Sequence, residues 1–92
     1  MPNVRGKSLR LIARDVSDGY TVVNPLFLKP FDPETLKELY QEIQKTSAEI
    51  RGEKFPYSDI EAIRWRNLRL QRLHVAAMIV KTYARDKRIQ LI

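Results

Sequence analysis

The chain has 92 residues, 43% of them hydrophobic, with 17 Lys or Arg against 11 Asp or Glu and a net charge of +6. That length reads as one domain over residues 1–92, and it buries only about two-thirds of its unfolded surface, so stability is thin. The absence of cysteine excludes disulfide frameworks, thiolate zinc sites and thiol nucleophiles. No apolar run reaches the roughly 18 residues of a membrane span, and an intracellular protein is expected.

Positive charge is unevenly placed. Residues 1–50 hold seven basic and seven acidic side chains, whereas residues 51–92 hold ten basic and four acidic ones. The excess lies on the last predicted helix, so an anionic partner or acids elsewhere on the same fold are expected to meet it.

In chain order, residues 1–7 carry Arg5 and Lys7 with no apolar signal core and read as a flexible arm. Leu9, Leu11 and Ala13 alternate with Arg10, Ile12 and Arg14, a period of two that predicts a strand. Asp18-Gly19 is a turn signal, and Tyr20 to Val23 are aromatic and β-branched, as a returning strand requires. Asn24-Pro25 interrupts the ladder, with Leu26-Phe27-Leu28 beyond it. Residues 8–28 are therefore expected as a β-hairpin, and the fold class as α+β.

Asp32 and Pro33 are an N-cap and a first helical residue, with Leu36, Leu39, Tyr40, Ile43 and Ile50 on one stripe. A helix is predicted over 33–51, with Gly52 as its stop. Ser58 and Glu61 have capping-box spacing, and no Gly or Pro follows. The second helix is predicted over 59–88. It is too long for one hairpin and one shorter helix to cover, so it breaks, projects or meets another chain.

Stepping about 100° per residue sorts its apolar side chains into three arcs. Ile60, Ile63, Leu70, Ala77 and Met78 form one, Leu68, Val75 and Ile79 a second, and Leu73, Val80 and Ala84 a third. A helix apolar nearly all round over 73–80 is buried on several sides. A homodimer seam through Leu70, Leu73, Ala77, Met78 and Val80 is the expected cover for the third side, with a bend near Arg72 as the alternative.

Arg64, Trp65, Arg66, Arg69 and Arg72 combine guanidinium forks with a stacking face, a chemistry suited to phosphates and unstacked bases. The alternative is that Trp65 is a core residue and its arginines pair with Glu34, Glu38, Glu42 or Glu49. Lys81, Arg85, Lys87 and Arg88 either extend an anion-binding surface or simply complement the helix dipole. His74, the only histidine, reads as a packed residue. With no converging ligands, no triad context and no phosphate-cradling glycine loop, neither metal, cofactor nor catalysis is expected. Arginines interrupt the apolar arcs, which argues against membrane binding.

The function expected is that of a small non-catalytic accessory protein. It binds nucleic acid, or works inside a nucleoprotein complex, through Arg64, Trp65, Arg66, Arg69, Arg72, Lys81, Arg85, Lys87 and Arg88. The alternative is a protein-interaction or oligomerisation subunit using residues 73–80.

Overall fold

Residues 3–4 and 7–91 are described by a computed structural model, and they are organised by helices rather than by a β-hairpin packed on helices. The expected α+β class is therefore corrected to all-helical. Extended pairing among the described residues is confined to β1 (Asn3–Val4) and β2 (Lys7–Ser8), antiparallel with Asn3 opposite Ser8 and Val4 opposite Lys7. The arm expected over 1–7 lies partly outside the described residues, Arg5 with it.

Where a hairpin is predicted, residues Leu9–Asp18 form helix α1. Its buried side chains are Leu9, Ile12, Ala13 and Val16, the i, i+3, i+4, i+7 spacing of a helix face. Leu11, required inside by the strand reading, is 46% exposed. Ser8 caps the N-terminus, its Oγ accepting from the Leu11 N–H at 3.2 Å. Gly19, at φ +86°, ends the helix: its N–H donates to Val16 and that of Tyr20 to Asp15. This is a Schellman stop. Asp18-Gly19 thus supplies positive φ to a helix end and not to a hairpin turn.

Residues 20–24 run without regular structure into a single turn of helix, α2 (Pro25–Leu28). Asn24 caps it, Oδ1 accepting from the Phe27 N–H at 2.8 Å, with Pro25 at the first position. The pair read as a break in a ladder is a helix start.

Helix α3 spans Pro33–Gly52 and buries Leu36, Leu39, Tyr40, Ile43 and Ile50. The Asp32 carboxylate accepts from the Thr35 hydroxyl and from its N–H, the latter at 2.7 Å, and these bonds hold its pKa below the ordinary 3.8. Because the folded value is the lower one, the cap's contribution is complete above pH 3.8 and is lost as pH falls through the folded value. Asp32→Asn keeps an acceptor but cannot titrate. It is expected to narrow the gap between melting temperatures at neutral and acid pH, and an unchanged gap would reject the assignment.

Helix α4 spans Ile60–Asp86, 27 residues without a break. Its cap is Asp59, whose Oδ1 accepts from the Ala62 N–H at 3.0 Å, and not the expected Ser58. Leu73, Ala76, Ala77, Val80 and Ala84 are buried in the core, while no residue over 60–72 is. The fully buried positions of α4 are thus confined to its second half, and the molecule is 44 Å long. Helices α1, α3 and α4 each pack against the other two, and one apolar core runs between them.

The end of α4 is a second Schellman turn, with the Ile89 N–H donating to the Ala84 carbonyl at 2.7 Å. Here Arg88 occupies the left-handed position at φ +58°, where a side chain is strained. Arg88→Gly is expected to stabilise the fold by about 0.5–1 kcal/mol. Urea midpoints at constant m-value check this.

Candidate functional site

The arginines of α4 divide sharply once the fold is known. Arg72 reaches across to α1, donating from Nη1 to the Ser17 carbonyl at 3.2 Å, with its Cζ 5.5 Å from the Trp65 ring centre. Arg69, only 17% exposed, lies 3.8 Å from Asp18 and 3.7 Å from Glu53. It joins the end of α1 to the segment just after α3. Arg66 lies over Phe55 at 5.2 Å, and Phe55 meets Tyr57 at 4.8 Å. Arg64 pairs with Glu61 one turn before it at 3.5 Å, both exposed. Three of the four arginines thus serve the fold, through partners other than the four glutamates of α3 named from the sequence. Of those, Glu49 faces Arg10 at 3.9 Å. Trp65 is 44% exposed, a half-covered ring and not a core residue.

Lys81, Arg85 and Arg88 are exposed and make no ion pair with the described residues; Lys87 is exposed and lies 5.8 Å from the Tyr83 ring. These four stay at the end of α4, apart from the Arg64–Arg72 segment. No group of three or more His, Asp or Glu converges among the described residues. Among the described residues, no helix is long and apolar enough to cross a membrane.

The residues expected at an oligomer seam are largely inside the chain itself. Leu73 and Val80 are fully buried, Ala77 is 8% exposed, and Leu70 packs partly buried against the core. Only Met78, at 49%, stands well exposed. His74, read as packed, is also exposed.

The uncovered apolar surface is the second arc, which sequence reasoning found but did not assign to a site. Leu68 and Val75 are exposed by 39% and 48%. Together with Ile79 they face the segment carrying Val22, which is itself exposed. Between that segment and α4 lies a cavity of about 380 Å³, floored by Val16 and Ala76. It opens onto a wider groove of about 800 Å³ between Pro25, Val75, Met78 and Tyr83, with His74, Asp86 and Lys87 on its walls. Val75 and Ile79 line both, so the two form one trough along the outer side of α4. Its lining is mostly apolar, with Thr21, Gln71, Arg72 and Thr82 among the polar side chains that also line it.

Comparison with protein-family models, curated proteins and solved structures finds no match to this chain.

Proposed function

We propose that the chain is a non-catalytic protein-interaction subunit that takes an apolar helix of a protein partner into the outer trough of α4. The observation that carries this is the half-exposed stripe of Leu68, Val75 and Met78, which lies outside a core already filled by Leu73, Ala76, Ala77 and Val80. An amphipathic helix seated on such a groove is a recurrent recognition mode, read through anchors at i, i+3, i+4 and i+7. The test places a photo-crosslinking phenylalanine analogue at Met78 and, as control, at the exposed Lys45 on α3. Adducts to a single protein species are expected from Met78 only, and are expected to disappear with Leu68→Glu. Equal labelling from both positions, or none from Met78, would reject the reading.

A second reading is favoured by the cations Lys81, Arg85 and Arg88, which make no ion pair with the described residues, on a chain of net charge +6. In it the end of α4 contacts nucleic-acid phosphates without sequence preference. Three phosphate contacts predict an affinity loss of about 40-fold between 50 and 200 mM salt. Fluorescence anisotropy with labelled oligonucleotides reads this directly. Reversing the three charges is expected to remove the binding, and no binding at the lower salt would dismiss this reading.

A further inference from the structure

We infer that the partner in the trough is a second copy of this chain, packed antiparallel along α4 about a two-fold axis at Val75. This rests on the docking reading above and names its occupant. The outer face of α4 presents Arg64, Leu68, Gln71, Val75, Met78 and Thr82, all exposed. Their spacings of four, three, four, three and four residues are those of a helix–helix seam.

Charge selects both the occupant and its direction. Lys81 and Arg85 lie roughly 80–120° round the helix from Val75 at 100° per residue, so they stay clear of the seam. What remains near it is Arg64, which also pairs with Glu61 of its own chain at 3.5 Å, toward one end and Asp86, the only acid in residues 62–88, at the other. An axis at Val75 sets Arg64, eleven residues before it, opposite Asp86 of the second copy, eleven residues after it. A parallel pair would instead oppose like charges at both ends. An isologous interface uses one patch twice, so each matched pair occurs twice.

The molecule has the length for this. A standard interface buries about 800 Å² per partner, and the seam from Arg64 to Asp86 runs about 33 Å along α4 at 1.5 Å per residue. Val75 meets its own copy at the centre, Leu68 lies opposite Thr82, and the exposed Val22 and Leu26 rise beside the incoming helix.

The cysteine-free chain makes the test clean. Sedimentation at high micromolar concentration is expected to give twice the 10.8 kDa chain mass. Val75→Cys is expected to oxidise to a disulfide dimer, and Lys45→Cys on α3 is not. Arg64→Asp and Asp86→Arg are each expected to weaken association about tenfold, and the double variant to restore it. These positions are exposed, so circular dichroism is expected to stay unchanged. A monomer at this concentration overturns the inference, as does a dimer that crosslinks through Lys45→Cys and not Val75→Cys. If the chain is monomeric while the Met78 crosslinker captures one different protein, the docking reading stands and the second copy is excluded. If neither occurs, both fall.

Discussion

Leu73→Asp is expected to leave the chain without a cooperative unfolding transition, while Met78→Asp, five residues on, is expected to fold. Both side chains sit in the apolar stretch 73–80. Leu73 is fully buried where α4 meets the rest of the core, whereas Met78 is 49% exposed on the trough. Removing the Leu73 side chain alone costs about 2–5 kcal/mol through lost transfer and the cavity left behind. A carboxylate at the same place adds several kcal/mol of desolvation. Against a domain stability of about 5–15 kcal/mol, low in that range for so short a chain, the sum removes the native state. Met78→Asp loses only half-exposed surface, on the order of 1 kcal/mol. Far-UV circular dichroism with urea titration separates the two. A cooperative transition for Leu73→Asp would show that the end of α4 is not built into the core. The pair also separates fold from function, because Met78→Asp is the variant whose loss of partner binding can be read without loss of structure.

Much of α3 was legible because independent signals agree there. Asp32-Pro33 marks the start, the stripe from Leu36 to Ile50 marks the buried face, and the helix ends at Gly52. The N-terminal third was misread because seven residues do not distinguish a period of two from one of 3.6. Leu9, Leu11 and Ala13 alternate, but Leu9, Ile12, Ala13 and Val16 are the residues buried. Extending the window to Val16 makes the helical pattern complete. Gly19 misled for a related reason, since hairpin turns and helix stops both want positive φ. On α4 the three apolar arcs were readable, but not which of them the chain itself covers. That depends on where α1 and α3 dock, which buries Leu73 and Val80 and leaves Leu68 and Val75 exposed. The arginine pairings were hidden for the same reason: Asp18 and Glu53 approach Arg69 only through the tertiary fold.

Gly19→Ala is expected to destabilise the fold by about 2–3 kcal/mol, and by measurably less once Arg72 is gone. Gly19 sits at φ +86°, where any Cβ is strained by about 1–2 kcal/mol. A Cβ there would also lie 2.9 Å from the Arg72 Cζ and 3.0 Å from both terminal nitrogens, too close for the guanidinium to remain. Displaced, Arg72 gives up its bond to the Ser17 carbonyl, worth about 1 kcal/mol, and its place over Trp65. In an Arg72→Ala background only the backbone term is left, so the cycle is expected to show a coupling of about 1 kcal/mol. For a domain of this size the single change lowers the melting temperature by about 10–20 °C. Strict additivity would mean that the guanidinium does not occupy the space beside Gly19. The coupling bears on function as well as on stability. Arg72 and Gly19 both line the narrower cavity of the trough, and Gly19 leads directly into the segment carrying Val22. A guanidinium fixed to the end of α1 therefore sets where that wall stands relative to Leu68 and Val75. Loss of partner binding in Arg72→Ala, with Lys in its place failing to restore it, is expected if the fork and not the charge is what holds the wall.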